Sequence, residues 1–348
     1  MTSIHRMKIQ LAVLCWLAIL ALSVVGTAQP TTVSGDPFQL VATGSGAAQL
    51  FGLTSDAQGR IYIGNNSNNT TGIPLQLFDP ALYAGVPTPL ASFGPPVGDA
   101  DGLSYGADSI FVADRDEGVR RVNIPAGTST VFIPDLAING TGSPIVFRPS
   151  DGHVFVGFGA TVPGAPGDNR IDEFDTAGNF VQTFTTVDEV ETMTFDPDAG
   201  LIYYATFSTT VRSFDPLNGT DALVGSASGF IDGGLALDPR TGILFVGTAN
   251  GPNSGLVETI DPATGITQLF ATGFNGSLGI LREPLSGDLY FVESNALYRL
   301  ESRFIPEPSG LALLGTASLV LGTARRWRRV ASASRGGCRI RGRDVVSR

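Results

Sequence analysis

The sequence predicts an all-β chain folded as a six-bladed β-propeller closed by an N-terminal strand, and three observations carry that prediction. A turn of the form Asp-Pro-x-x-Gly returns in register at Asp196–Gly200, Asp215–Gly219, Asp238–Gly242 and Asp261–Gly265, with a Glu-Pro variant at Glu283–Gly287. Proline presets φ for such a turn, the acid side chain caps it, and glycine takes the positive-φ position. Aligned on Leu53, Leu103, Ile145, Met193, Leu235 and Ile280, copies of one unit recur every 42 to 50 residues. A period near 45 with four short strands per unit is the signature of a propeller, because one blade cannot bury its apolar faces alone. Finally, Phe38–Gly44 precedes the first copy, belongs to no copy of its own, and echoes Gln268–Gly273, the outermost strand of copy five. Copy six stops before any fourth strand, so the leading segment is expected to supply it and hide two open sheet edges.

Taken in order, residues 1–28 read as a secretory leader. Arg6 and Lys8 form a positive start, Ile9–Val25 is apolar apart from Gln10 and Ser23, and the small residues ending at Ala28 offer a cleavage site for signal peptidase. A retained anchor is the competing reading, since the apolar run approaches the length of a span. The propeller is expected over 29–304, with blades at roughly 48–97, 98–138, 139–187, 188–228, 229–273 and 274–304, the last completed by 38–44. In the first blade the fourth strand is expected at Pro89–Phe93, and in the fifth the inner strand at Leu235–Leu237. Seven blades, a β-sandwich and a β-solenoid compete. A solenoid needs coils of roughly 20 to 30 residues, and a sandwich gives no reason for the Asp-Pro turn to return in register.

Composition supports many short strands joined by turns: 44 glycines and 22 prolines stand beside no long helical periodicity. Charge is segregated along the chain. Between Ala28 and Ile305 eleven arginines face thirty acids with no lysine, a net of about −19, whereas nine arginines crowd the tail. Such a surface repels nucleic acid and anionic lipid, and it suits soluble life outside the cell or divalent cations. Both cysteines, Cys15 and Cys338, lie outside the propeller, which excludes a disulfide framework or cysteine-ligated metal there. His153 is the single histidine of this region, at the first position of a strand after a turn, and it reads as a turn-edge side chain rather than a catalytic base. Asn69, Asn139 and Asn218 begin Asn-x-Thr triplets that mark surface loops.

At Ile305 the pattern changes. Pro306, Glu307 and Pro308 lead into an apolar run from Gly310 to Ala324, followed by Arg325, Arg326, Arg328 and Arg329. The run is short for a bilayer span, and the arginines hold its far end on the cytoplasmic side. This ordered triple over 305–329 resembles the PEP-CTERM protein-sorting signal. The resemblance implies export in a Gram-negative-type bacterium and transient anchoring in the inner membrane by the C-terminal helix. It also implies recognition by an exosortase-like protease and delivery to the cell surface or an exopolysaccharide matrix. Residues 330–348 add a basic extension beyond the usual end of such signals.

Residues just before each innermost strand point toward the channel in a propeller. Here they include Asp99, Asp101, Ser143, Asp188, Glu189, Glu191, Asp232, Asn275 and Ser277. Converging carboxylates repel one another, and a hard cation such as Ca²⁺ would relieve that repulsion; alternatively they cap strand starts and bind water. Ile231–Val246, with Asp232-Gly-Gly, and Asp101-Gly-Leu-Ser-Tyr resemble blade starts of the gluconolactonase/regucalcin-like propeller family. That resemblance implies Asp232 as metal ligand and general base; Glu191 or Asp101 stands where the family has an asparagine, and the three carboxylates Asp101, Glu191 and Asp232 are the candidate ligands of a divalent cation. The expected function is a binding or scaffold module of the surface, whose partner is a matrix polysaccharide or protein. The alternative is a metal-dependent lactonase working in the channel.

Overall fold

The computed structural model describes residues 29–44, 49–66, 72–98, 100–114, 118–134, 144–158, 169–206, 208–249, 253–276 and 279–305. The leader, Ala28, the sorting segment from Pro306 to Arg329 with its apolar run, and the basic extension lie outside the described residues. By contacts the chain divides into two units, Met1–Ser302 and Arg303–Arg348. Among the described residues, no helix is long and apolar enough to cross a membrane.

The first unit is six sheets in which each blade's consecutive strands run antiparallel from an inner to an outer strand, four of them in blades 1 to 5 and three in blade 6. Blade 1 comprises Gln49–Ser55, Ile61–Asn66, Ile73–Phe78 and Ala91–Val97, and blade 2 Ala100–Gly106, Ser109–Asp114, Gly118–Asn123 and Thr128–Pro134. Blade 3 comprises Ile145–Arg148, His153–Phe158, Arg170–Phe174 and Phe180–Thr185; blade 4 comprises Thr192–Asp196, Leu201–Ala205, Thr210–Asp215 and Thr220–Ser226. Ile231–Leu237, Leu244–Thr248, Val257–Ile260 and Thr267–Thr272 build blade 5, and Gly279–Arg282, Leu289–Glu293 and Ala296–Leu300 start blade 6. Each inner strand touches the next one round, and that of blade 6 touches that of blade 1, so the circle closes at six.

The core lies in the seams between blades rather than at one centre. Tyr62 and Leu75 of blade 1 pack on Leu103 and Val112 of blade 2; Phe155 and Ile171 of blade 3 pack on Met193 and Tyr204 of blade 4. Second strands are covered on both faces, which is why they read as unbroken apolar runs. Ser109–Asp114, Leu244–Thr248 and Leu289–Glu293 are buried at every position. Outer strands carry one wet face, and Phe180–Thr185 is exposed at five of its six positions.

Closure follows the expected route and adds a second hook. Gln39–Thr43 becomes the fourth strand of blade 6, with Gln39 opposite Arg299, Leu40 opposite Tyr298 and Thr43 opposite Ala296. Just upstream, Thr31–Thr32 adds a fifth strand to blade 5, opposite Thr272 and Ala271. Phe38 stands between the two hooks, fully buried, with its ring centroid 5.2 Å from Phe274 and 5.0 Å from Phe291. The N-terminal segment therefore ties blade 5 to blade 6 through hydrogen bonds and an edge-to-face aromatic cluster.

Two strand boundaries differ from expectation. Pro89 is not in the outer strand of blade 1: Thr88–Pro89 pairs in parallel with Ala42 and Thr43 of blade 6, and the outer strand starts at Ala91. The reason is Leu90, which is 4 % exposed and fills the seam between blades 6 and 1. The inner strand of blade 5 begins at Ile231, with a register shift before Leu235 that the Gly233–Gly234 pair hid from the apolar pattern. The turns behave as expected. Asp196 Oδ1 accepts from the Asp198 backbone N–H at 2.9 Å, the Gly200 N–H donates to the Asp196 carbonyl at 2.9 Å, and Gly200 has φ 71°.

Candidate functional site

The six residues that align the repeats in sequence, Leu53, Leu103, Ile145, Met193, Leu235 and Ile280, meet around the axis. They line a cavity of about 390 Å³ formed by the later halves of the inner strands. At the turn end this cavity is rimmed by Pro149, Pro197, Pro239 and Pro284, the prolines of the repeated turns. Hydroxyls of Thr54, Ser55, Ser104, Tyr105 and Thr194 belong to residues of the wall, and among its lining residues the single ionisable one besides Tyr105 is Arg282. The described half of the channel is thus lined mostly by apolar residues.

Arg282 closes the inner strand of blade 6, and its side chain is 1 % exposed. Its Nη2 lies 3.1 Å from Oδ2 of Asp238, equally buried, across the seam from blade 5. This is an ion pair by distance only: Nε, Nη1 and Nη2 of Arg282 and Oδ2 of Asp238 make no hydrogen bond. Burial lowers the Arg282 pKa below the ordinary arginine value; the Asp238 charge opposes this, and Arg240 reinforces it. Buried guanidinium N–H groups without acceptors are costly to leave unmade. Asp238 also caps its own turn, accepting from the Arg240 N–H at 3.1 Å.

The acids expected at the opposite end are placed by the backbone as follows. Asp101 lies in the inner strand of blade 2 at a register shift between Ala100 and Gly102. Asp232 lies in the inner strand of blade 5 at the shift between Ile231 and Leu235. The side chains of both lie outside what the structure describes. Glu191 directly precedes the inner strand of blade 4, is 5 % exposed, and donates its backbone N–H to Ala205 O at 2.9 Å. All three therefore occupy the starting end of inner strands, from blades 2, 4 and 5. A donor set of carboxylates there is chemically suited to a hard cation. Asp188 is exposed, the Asn275 N–H donates to Glu293 Oε1 at 2.6 Å, and Asp99, Ser143 and Ser277 lie outside the described residues.

Sequence reading missed a network on the turn face of blade 3. Asp151, His153 and Glu173 bring ligand-type atoms within 4.8 Å of one another. Arg148 already joins them: its Nη2 lies 2.5 Å from Asp151 Oδ2 and 2.6 Å from Glu173 Oε1. His153 Nδ1 is 2.8 Å from the same Glu173 oxygen, and Gln182 Nε2 donates to Glu173 Oε2 at 2.7 Å. The Arg148 guanidinium stacks over Phe155 at 4.7 Å. A divalent cation would have to displace this guanidinium, so the group does not fit a metal; it clamps the Pro149–Gly152 turn onto the third strand. His153 is more than a turn-edge side chain, but its partners are structural.

No family model matches the chain, and no curated protein matches it. Solved structures do. A gluconolactonase from Xanthomonas campestris is similar at 14% identity and TM-score 0.56 over 80% of this chain and 99% of that one. A nidogen/laminin complex is similar at 16% identity and TM-score 0.52 over 76% and 92%. The extracellular domain of a hybrid two-component system from B. thetaiotaomicron matches at 14% identity and TM-score 0.48 over 75% of this chain, which spans 39% of that chain. The likeness to the first two is one of fold, and it agrees with the six-bladed ring.

Proposed function

We propose that this protein is an exported, surface-sorted propeller that acts as a binding module of the cell surface or its polysaccharide matrix. The observation that carries this reading is where the fold starts. Thr31–Thr32, the first paired strand, begins three residues after the expected cleavage at Ala28, and the ring is then locked by Gln39–Thr43. Removal of a leader ending at Ala28 leaves both described N-terminal strands, Thr31–Thr32 and Gln39–Thr43, in place. The last strand ends at Leu300, just before the Pro306–Arg329 sorting segment, which supports a propeller carried between two separately processed signals. The acidic surface of the ring suits solution outside the cell.

The test is expression of the full chain in a Gram-negative-type bacterium that has an exosortase. The expected outcome is a mature N-terminus at Gln29 and digestion of the protein by protease added to whole cells. Joint replacement of Pro306, Glu307 and Pro308 by alanine should leave it in the inner membrane. Cytoplasmic recovery with Met1 intact would refute the reading. Pull-down of purified exopolysaccharide by the mature ring then tests the binding role, and absence of retention would count against a glycan partner.

A second reading is a divalent-metal-dependent lactonase, favoured by the backbone positions of Asp101, Glu191 and Asp232 at one end of three inner strands. These residues would hold the ion, with Asp232 as general base, and the ion would supply Lewis-acid polarisation of a lactone carbonyl. Calcium titration followed by melting temperature tests it. An unchanged melting temperature, together with unaltered behaviour of Asp232→Ala, would remove the enzyme.

A further inference from the structure

The connection between third and fourth strands is short in blades 2 to 5, spanning 124–127, 175–179, 216–219 and 261–266. In blade 1 it runs from Asp79 to Leu90 and is anchored at both ends. Asp79 Oδ1 caps the short turn Pro80–Leu82, accepting from the Ala81 N–H at 2.9 Å. Thr88–Pro89 pairs with Ala42 and Thr43, and the Leu90 N–H donates to the Thr43 carbonyl at 2.9 Å. Between these anchors the excursion and the end of the third strand line a surface pocket of about 220 Å³. Arg60, Phe78, Asp79, Leu82, Tyr83 and Pro89 belong to its wall.

The polar groups of this pocket reach solvent and are partly unspent. The Arg60 side chain is 31 % exposed; its Nε and Nη2 each stand 2.7 Å from Asp56 Oδ2. Among the described residues, Arg60 Nη1, Asp79 Oδ2 and the hydroxyl of the half-buried Tyr83 have no hydrogen-bond partner. The Tyr83 ring is propped edge to face on Phe78, with centroids 6.0 Å apart, and Phe78 is buried in the seam with blade 6. Aromatic and aliphatic surface therefore lies in one pocket with a carboxylate and a guanidinium that have hydrogen-bonding capacity to spare.

We propose that this pocket holds one neutral hexopyranose unit of a polysaccharide, its C–H face on Tyr83 and Leu82 and its hydroxyls on Asp79 and Arg60. The proposal rests on the surface-binding reading above and names the glycan contact for it. A pyranose carries an apolar C–H patch on one face and hydroxyls around its rim. It thus calls for an aromatic or aliphatic wall with a charged acceptor and donor at the side. The volume lies below that of pockets for whole drug-sized ligands, about 300–1,000 Å³, and suits a single unit of a chain that continues over the surface. An anionic sugar fits badly. Asp79 would face its carboxylate, Arg60 is already paired with Asp56, and the ring around them is acidic.

The experiment is a saturation-transfer NMR titration of the full chain, held in a detergent without a sugar headgroup. The probes are methyl glucoside, methyl mannoside and methyl galactoside, with sodium methyl glucuronoside and cyclohexanol for comparison. At least one neutral glycoside is expected to saturate at about millimolar concentration, as suits so few atoms. Glucuronoside and cyclohexanol should bind about tenfold more weakly, the scale of a hydrogen bond to a charged group. Tyr83→Ala should weaken the glycoside about tenfold through lost apolar contact. Asp79→Asn, which still caps its turn, should weaken it by about the same factor and keeps the test open if Tyr83→Ala fails to fold. Asp175→Asn makes the same exchange in the matching turn of blade 3 and should change nothing. The proposal is overturned if none of the three neutral glycosides saturates, or if Tyr83→Ala or Asp79→Asn binds as the parent does. It is equally overturned if glucuronoside or cyclohexanol binds as well as the neutral glycosides. Exopolysaccharide retained undiminished by Tyr83→Ala would sink this site and leave the surface reading standing. Glycoside binding that depends on Tyr83, without exopolysaccharide retention, would support the site and count against the matrix partner.

Discussion

Replacing Phe38 by alanine tests whether the N-terminal segment holds the ring together. Phe38 is wholly buried, and its ring meets Phe274 and Phe291 at 5.2 and 5.0 Å, edge to face. Truncating a buried phenylalanine costs about 3–5 kcal/mol through lost transfer free energy and the cavity left behind. Net stabilities of native proteins are about 5–15 kcal/mol, so this is a large fraction of the whole. For domains of this size each kcal/mol moves the melting temperature by about 2–4 °C, which places the variant about 6–20 °C below the parent. The assay is thermal unfolding followed by far-UV circular dichroism, with Val33→Ala as control. Val33 is in the same segment but 65 % exposed, so its replacement should stay within about 0.5 kcal/mol. If Phe38→Ala melts within about 2 °C of the parent, the least that one kcal/mol would produce, the segment is not part of the cooperative core and the clasp is refuted.

Glu173→Ala should destabilise by about 1.5–3 kcal/mol, the scale of hydrogen bonds to a charged group, because it removes the buried carboxylate that Arg148, His153 and Gln182 share while Asp151 still pairs with Arg148; urea unfolding that shows a loss below about 1 kcal/mol, the scale of an exposed pair, would contradict the clamp. In the same network, burial pulls the Asp151 pKa upward. The hydrogen bond from Arg148 and that from the His153 backbone N–H outweigh it, holding the carboxyl below its ordinary range. The stabilisation is therefore present above the unfolded pKa, near 3.9, and is lost as pH falls through the lower folded value. Unfolding measured as pH falls from about 5 should show a shallower acid decline for Asp151→Asn than for the parent, and parallel curves would count against it. Gly200 has φ 71°, and a Cβ added there would meet no atom within 4 Å. Gly200→Ala should therefore cost only the left-handed strain, about 1–2 kcal/mol, and a larger loss in chemical denaturation would mean the turn packs against something.

The ring was legible in the sequence because its repeated parts are local. An Asp-Pro-x-x-Gly turn closes within five residues, and the six aligned apolar positions keep one phase, so strand phase alone sets Leu53 through Ile280 around an axis. The likeness of Phe38–Gly44 to Gln268–Gly273 reflected a shared place in the sheet, and Gln39–Thr43 does occupy it. What stayed hidden depends on partners distant in sequence. Arg148 and Glu173 meet only because two strands align at a given register. Thr88–Pro89 leaves its own blade because Leu90 is drawn into another seam. Arg282 precedes a Glu-Pro turn and reads as one more surface arginine; nothing in that string says that blade 5 buries it against Asp238. The channel acids were legible as positions, at the starts of inner strands, since the repeat fixes where each inner strand begins.

The closing strand is tested most directly by a cross-link between Thr43→Cys and Ala296→Cys in a mature ring with Cys338→Ser. These positions are direct antiparallel partners, for which Cα separations of about 4.5–5.5 Å fall within the span a disulfide bridges. Mild oxidation should give a quantitative intramolecular bond that slows the chain's unfolding, whereas Val33→Cys with Ala296→Cys should stay reduced. Free thiols at both positions after oxidation, in protein that is otherwise folded, would mean that the N-terminal segment does not complete blade 6.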